Sequence, residues 1–206
     1  MTARKRRGYA WTLALMLVLI LAVMSSQKWI FPKKQPELPV FGEVPPFRLT
    51  DQNGGEVSSE DLRGDVWIAD FIFTRCQGPC PVMTRTLGDL QGDIPEEVRF
   101  VSFSMDPAYD TPEILKAYGD ANGADHARWR FLTGDRDVIF SIPKTLKLVA
   151  DDATEGDIIH SSRYLLIDPE GRVRGWYPVV DPTFETDETE LERLKRETEA
   201  LLKSLE

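Results

Sequence analysis

An apolar run at Val66–Phe73, with the sequence VWIADFIF, narrows the fold of this 206-residue chain more than any other feature. It contains one charged residue, Asp70, and is otherwise made of branched, aromatic and small apolar side chains. A strand that alternated between core and solvent would show polar residues at every second position. A near-continuous apolar run instead predicts a strand buried on both faces, as found at the centre of an α/β sheet.

Strand and helix signals alternate along the chain on both sides of this run. Two hairpins are predicted, around Asn53–Gly55 and around residues 168–171, and further strands at Val98–Met105 and residues 129–134. Helices are predicted from Pro81, from Pro112 with Asp110 or Thr111 as its cap, over 135–149 with an interruption at Pro143, and over 187–205. In the last of these, Leu205 is predicted to be one of the apolar positions. This order fits an α/β, thioredoxin-like three-layer domain with a central mixed sheet.

The N-terminus is predicted to carry one transmembrane helix before that domain. Arg4, Lys5, Arg6 and Arg7 precede an uncharged, mostly apolar run that starts at Tyr9. We divide the chain into a cytoplasmic basic tail (1–8), a transmembrane anchor or signal segment (9–26), a Pro-rich linker (27–42) and the domain (43–206). The positive-inside rule places the domain outside the cytoplasm, in the periplasm if the source has an outer membrane. We favour a single-pass anchor in the cell membrane over a removed signal peptide.

The charge is distributed asymmetrically. The formal net charge is −9, but the first 34 residues hold seven Lys or Arg and no acid, which leaves −16 for the rest of the chain. A surface this acidic repels nucleic-acid phosphates, so we expect that the protein does not bind nucleic acid.

The two cysteines, Cys76 and Cys80, lie between the predicted central strand and the helix that opens at Pro81. Loops at this edge of an α/β sheet commonly hold ligands. A helix N-terminus lowers thiol pKa values, so we expect an accessible, nucleophilic pair. A structural disulfide is the plainer alternative in an oxidising compartment, but closing so short a loop removes little chain entropy.

The chain has two histidines, and neither is diagnostic alone. His160 directly precedes the strand of the second hairpin, whereas His126 follows a helix without supporting context. We predict that His126 is a solvent-exposed loop residue.

Three segments in register give a more specific signal. FTRCQGPCP, SFSMDPAYDTP and HSSRYLLIDPEGRVRGWY follow one another with the order and spacing of the Sco/SenC family of copper chaperones, which this chain resembles over roughly residues 40–206. The resemblance implies a thioredoxin fold in which Cys76, Cys80 and His160 bind one copper ion. It further implies an outer-shell or weak-ligand role for Asp106, whereas Met105 is expected to point away from the site. Family members often carry proline after the first cysteine, where this chain has Gln77.

Two thiolates and one imidazole suit Cu(I), and can accept Cu(II) with an added oxygen ligand. The resemblance implies a metallochaperone that delivers copper to, or matures, the copper centre of cytochrome c oxidase. Its partners would be a copper-receiving oxidase subunit or another copper chaperone, and a thiol reductant, without ordinary enzyme turnover.

Three alternatives stay open. Cys76 and Cys80 can form the redox-active pair of a thiol–disulfide oxidoreductase that acts on that centre or on other exported proteins. Thr74 superficially resembles part of a peroxidatic loop, although the proline expected upstream is missing. The cysteines can also form a plain structural disulfide in a binding domain.

Overall fold

The computed structural model describes residues 15–20, 37–146, 162–181 and 183–205, and divides into a unit of residues 1–36 and a unit of residues 37–206. In the first unit, residues 15–20 are helical and exposed. They lie inside the predicted 9–26 segment, most of which is outside the described residues. Within the described ranges, no helix has both the length and the apolar character required to cross a bilayer.

The described part of the second unit contains one mixed sheet of eight strands in the spatial order β1-β8-β7-β4-β5-β6-β2-β3. In chain order the strands are β1 (Gly42–Glu43), β2 (Arg48–Asp51), β3 (Glu56–Ser58), β4 (Trp67–Ile72), β5 (Arg99–Ser104), β6 (Trp129–Thr133), β7 (Arg163–Ile167) and β8 (Arg172–Pro178). β4 pairs in parallel with β5 and antiparallel with β7, and all six of its residues are buried. The predicted central strand is confirmed.

Helices cover both faces of the sheet. They are α1 (Cys80–Leu90), α2 (Pro112–Ala121), α3 (Arg136–Thr145) and α4 (Glu188–Leu205), with a 3-10 helix at Ser59–Leu62. Apolar side chains of α1, α2 and α4 share one core cluster, and those of α3 and the 3-10 helix share the other. The three-layer α/β arrangement predicted from the sequence is confirmed.

The helix starts follow from local sequence. Thr111 caps α2 by accepting a hydrogen bond from the backbone N–H of Ile114 at 3.4 Å, and Pro112 occupies the first turn. Ser58 and Asp61 form a reciprocal capping box on the 3-10 helix. α1 begins at Cys80, one residue before the predicted Pro81.

Two details of the helix predictions were wrong. Pro143 was expected to interrupt its helix, but α3 continues to Thr145 with Pro143 buried. The helix ends two residues later, so the disruption that proline causes is confined to the last turn. Leu205 was expected on the apolar face of α4 but is 48% exposed, because it lies in the final turn, beyond the last buried leucine, Leu201.

Candidate metal centre

A short loop joins the most sheltered strand of the sheet to the helix that packs on it. β4 ends at Ile72, residues 73–79 form what we call the cysteine loop, and α1 begins at Cys80. Pro81 falls in the first turn, where its missing N–H leaves no helical hydrogen bond unmade. Cys76 and Cys80 therefore lie at the carboxyl end of β4, as the sequence predicts.

Both cysteines are free thiols, and both are buried. Cys76 is 8% exposed and Cys80 is 1% exposed, so the expectation of an accessible pair was wrong, and Cys76 is the less deeply buried of the two. The backbone N–H of Gly78 donates to Cys76 Sγ at 3.3 Å. A buried thiol that meets a backbone donor is arranged to accept rather than to donate a hydrogen bond.

The predicted lowering of the thiol pKa values was wrong for Cys80. Burial raises the pKa of the Cys80 thiol, and a hydrogen bond with Cys76 adds to the rise. The helix N-terminus is present, but desolvation of the charged form outweighs it at this depth. Cys80 is therefore a thiol at neutral pH until an ion or a bond-forming partner displaces its proton.

The cysteine loop is bound to β5 by a buried carboxylate, Asp110. Asp110 is fully buried and accepts hydrogen bonds from the Thr74 hydroxyl, from the Thr74 backbone N–H at 3.2 Å and from the Ser104 hydroxyl at 2.6 Å. The sequence indicated Asp110 only as a candidate helix cap, a role that Thr111 fills. The two hydrogen bonds from Thr74 to Asp110 therefore fix the cysteine loop against β5.

Asp106 lies on the solvent side of this arrangement. Its carboxylate accepts from the Arg75 guanidinium at 2.5 and 3.1 Å, and that guanidinium also stacks over the ring of Tyr109 at 4.1 Å. Asp106 is thus beside the cysteine loop, already paired with a cation. Met105 packs in the opposite core cluster from the cysteines, as predicted.

A second buried carboxylate, Asp70, was not predicted from the sequence as a candidate functional residue. Asp70 is on β4 and fully buried, and among the described residues neither of its oxygens has a hydrogen-bond partner within ordinary reach. Burial raises the pKa of Asp70 to about 7, while the nearby Ser102 hydroxyl partly opposes the rise. Its charge also raises the pKa of Cys80 and of Tyr164. One charged residue in an apolar run was the available signal.

The two histidines have different outcomes. His160 lies outside the described residues, so its contribution to the site stays a prediction. His126 was predicted to be exposed, but its side chain is only 20% exposed and is held between two partners. Gln52 contacts its Nδ1 at 2.9 Å and Asp120 its Nε2 at 2.8 Å. Gln52 is itself buried and bound to β6, which draws the ring inward.

The described residues supply two of the three predicted metal ligands. Among them, no group of three Cys, His, Asp or Glu side chains is close enough to hold an ion. Two neighbouring thiols are soft donors that favour Cu(I) over hard cations, and a third donor would have to come from elsewhere in the chain. The donor chemistry of the two thiols therefore fits copper.

A family model described as SCO1/SenC matches residues 37–197, which is most of the chain. The chain belongs to the SCO1/SenC family. The resemblance drawn from the three sequence motifs is thereby confirmed.

Two relatives are similar in sequence to most of this chain. The SCO1 protein homolog of Bacillus subtilis is 39% identical over 151 residues, covering 70% of this chain and 78% of its own length. A protein of Stutzerimonas stutzeri, named a putative copper-binding protein, is 36% identical over 148 residues, covering 67% and 70%.

Two solved Sco structures share the fold. A SCO1/SenC family lipoprotein from Bacillus anthracis str. Ames superimposes with a TM-score of 0.68 at 36% identity, covering 80% of this chain and 97% of that one. BsSco, a Sco-family cytochrome c oxidase assembly protein in which a disulfide switch was identified, gives a TM-score of 0.64 at 33% identity, with 78% and 93% covered. The mixed α/β, thioredoxin-like architecture is thus that of Sco proteins.

Proposed function

We propose that this chain is a metallochaperone that binds copper through Cys76, Cys80 and His160 and delivers it to, or matures, the copper centre of cytochrome c oxidase. The observation that carries the proposal is the pair of free, neighbouring thiols at the carboxyl end of β4. Family membership supports the same reading, because a Sco relative is named for copper binding and another for oxidase assembly.

The path of the chain supports His160 as the third ligand. β7 pairs antiparallel with β4, with Ala69 opposite Leu165, so β7 begins at the edge of the sheet where β4 ends. His160 precedes Arg163, the first residue of β7, by three positions. Three residues span at most about 10 Å, so the backbone tethers this imidazole to the edge that carries the cysteine loop.

The ligand set explains how an ion is held and then released. Two sulfurs and one nitrogen satisfy Cu(I) in a three-coordinate arrangement and leave it open to attack by a partner's ligands. Because burial raises the pKa of Cys80, binding must displace a proton from its thiol, and affinity should fall as the solution is acidified. Copper is the cargo in this proposal, so release by ligand exchange completes the task and no turnover of a substrate is required.

The proposal includes a location and partners. Residues 9–26 would hold the chain in the cell membrane with its basic N-terminus in the cytoplasm and residues 43–206 outside it. A copper-receiving oxidase subunit or another copper chaperone would meet the cysteine loop there, and a thiol reductant would keep Cys76 and Cys80 able to bind the ion. The acidic domain makes nucleic acid an unsuitable partner.

Anaerobic copper titration of the reduced chain tests this function. Wild type should bind one Cu(I) with strong sulfur-to-copper absorption. His160→Ala should weaken binding by at least about tenfold, the scale of losing one ligand or its support. His126→Gln is the matched control, since it alters the chain's other histidine while retaining hydrogen-bonding capacity, and it should bind like wild type. Equal binding by wild type and His160→Ala would remove His160 from the site.

A thiol–disulfide oxidoreductase is the second candidate, and the two adjacent free thiols favour it directly. It needs Cys76 and Cys80 but not His160, because disulfide exchange requires only the two sulfurs. His160→Ala should therefore leave the rate of disulfide exchange unchanged, whereas Cys76→Ser abolishes it. A peroxidase role would require hydrogen peroxide consumption with a thiol reductant, which we do not expect.

A further inference from the structure

Phe184 is an exposed aromatic residue held in an unusual backbone conformation. Its side chain is 51% exposed, and its φ of 65° makes it the one non-glycine residue with positive φ in the described ranges. A bulky residue in the left-handed region is strained by about 1–3 kcal/mol. Burial of the ring does not offset that strain here, because half of the ring faces water.

Hydrogen bonds around Asp181 hold this conformation. The Asp181 carboxylate accepts from the Thr183 backbone N–H at 2.8 Å, the Thr183 hydroxyl at 2.7 Å and the Glu185 backbone N–H at 3.0 Å. The Phe184 N–H donates to the Asp181 carbonyl at 3.0 Å, and a β-bridge between Val180 and Thr186 closes the turn. The turn therefore fixes where the ring points.

The ring points at the cysteine loop. A methyl group placed on the α-carbon of Gly78 would lie 3.7 Å from Cys76 Sγ and 3.8 Å from Phe184 Cζ. The sulfur and the edge of the ring therefore border the same glycine. Cys76 is the more exposed of the two cysteines, so a molecule that bonds to this sulfur from solvent must also come close to the ring.

Phe184 is unlike the other exposed aromatic side chain beside this loop. Tyr109 is 42% exposed, but the Arg75 guanidinium covers its ring at 4.1 Å. Within the described ranges, no aromatic ring or guanidinium stacks on Phe184. Within the described ranges, Phe184 therefore presents exposed apolar surface beside the glycine that Cys76 also borders.

We propose that Phe184 is a docking residue for the partner's cysteine-bearing segment, and that it selects a segment with an apolar side chain two residues from the cysteine. This inference rests on the proposed function, since both copper transfer and disulfide exchange bring a partner sulfur to Cys76. The occupant is an extended peptide, because the ring and the sulfur border the same glycine, and alternate side chains of an extended segment lie on one face about 7 Å apart. Acidic neighbours, Asp181 and Glu185, disfavour an acidic segment.

Disulfide exchange with model peptides tests the assignment on the full-length, reduced chain in mild detergent. The probes are two symmetrical peptide disulfides that differ only in a Leu or a Ser two residues from the cysteine, together with 2-hydroxyethyl disulfide. The Cys76 thiolate attacks one peptide sulfur, a mixed disulfide forms, and the first peptide leaves as its thiolate. Cys80 then loses its proton and displaces the second peptide, so the cysteine pair is oxidised by two electrons and the peptide disulfide is reduced.

Wild type should react about fivefold faster with the Leu peptide than with the Ser peptide, the effect of covering about half of a phenylalanine side chain. Phe184→Asn suits the left-handed backbone and should bring this ratio to about one. Its rate with 2-hydroxyethyl disulfide should stay at the wild-type value. Phe41→Asn is the matched control: Phe41 is 48% exposed but packs on Trp176, on the side of the other core cluster, and this variant should keep the wild-type ratio.

Three results would overturn the assignment: no peptide preference in wild type, an unchanged preference in Phe184→Asn, or an equal slowing with 2-hydroxyethyl disulfide. Phe184→Gly, which the same φ accommodates, repeats the test if the Asn variant does not fold. Copper titration separates this inference from the proposed function. Wild type that prefers the Leu peptide but binds no copper retains the docking role and refutes the metallochaperone, whereas copper binding without peptide preference does the reverse.

Discussion

Two aspartates, one on the central strand and one in a turn between two strands, are equally buried, but their pKa values are shifted in opposite directions. Asp70, on the central strand β4, has no hydrogen-bond partner within reach among the described residues, and burial raises its pKa to about 7. Asp168, in the turn between β7 and β8, is just as buried, and burial alone would raise its pKa too. Hydrogen bonds from the Arg172 backbone and guanidinium and from Arg174 reverse the effect and lower the pKa of Asp168.

Burial alone determines the free energy of a charged side chain only where no opposite charge or hydrogen-bond donor pairs with it. Around Asp168, two guanidinium groups replace the lost water, and the carboxylate stays ionised and structural. Around Asp70 the nearby Ser102 hydroxyl offsets the lost water only in part, so burial raises the pKa of Asp70 to about 7 and this acid keeps its proton up to near neutrality. The strand that leads to the cysteines thus carries a destabilising group, while the distal hairpin carries a stabilising one.

The largest effect is expected from breaking the paired aspartate. Asp168→Asn leaves Arg174, which is 3% exposed, without its main counter-charge, and should lower the free energy of unfolding by about 3–5 kcal/mol at pH 7. Urea unfolding measures this loss. Glu170→Gln, which removes an exposed partner of Arg172, should cost less than about 1 kcal/mol. Equal effects from both variants would contradict the assigned role of Asp168.

Neutralising the unpaired aspartate should have the opposite sign. The folded chain holds the Asp70 proton up to about pH 7, whereas the unfolded chain releases it near pH 4, so ionisation opposes folding by about 4 kcal/mol at high pH. Asp70→Asn removes this penalty but leaves a buried amide unpaired. A net stabilisation of about 1–3 kcal/mol at pH 8, and none at pH 4, is expected in urea titrations. A variant destabilised equally at both pH values would show that Asp70 has a partner.

The pH dependence of the free energy of unfolding should separate the two aspartates, because their contributions change in different pH ranges. As the pH falls from about 7 to 4, Asp70 regains its proton and stability rises. Below about pH 4, stability falls, because the lowered pKa of Asp168 means that its contribution is lost as the pH passes through its folded value. We expect the acid loss to be smaller in Asp168→Asn than in wild type.

The smallest effect tests whether pairing also matters near the cysteines. Asp110 is a paired carboxylate that fixes Thr74, two residues before Cys76. Asp110→Asn should loosen the cysteine loop and weaken copper binding by about tenfold, with little change in unfolding free energy beyond about 1–2 kcal/mol. Competition with a Cu(I) chelator measures the affinity. Thr111→Ala, which removes the neighbouring helix cap, is the control and should leave that affinity unchanged.

Sequence patterns predicted what depends on local periodicity and spacing. The continuous apolar run fixed β4 as the central strand, and Thr111–Pro112 fixed the start of α2. Patterns could not predict side-chain partners that come from distant parts of the chain. Whether a buried acid finds a guanidinium, as Asp168 does and Asp70 does not, depends on tertiary contacts.

The cysteine pair shows the same limit. The loop and helix start around Cys76 and Cys80 were predicted correctly, but the depth of burial that raises the pKa of Cys80 was not. Depth depends on how α1 and its neighbours pack over the sheet, which no local pattern reports. The turn that aims Phe184 at Gly78 was missed for the same reason.

β4 is hydrogen-bonded to a neighbouring strand on both of its edges, and this pairing limits how easily the sheet can open. A strand bonded on each side exposes its amides to exchange only when the whole sheet opens, so these amides should be among the slowest in deuterium labelling. In the proposed metallochaperone, copper binding and release at the cysteines would then leave the sheet unaltered. The copper-free molecule would already be folded to bind the next ion.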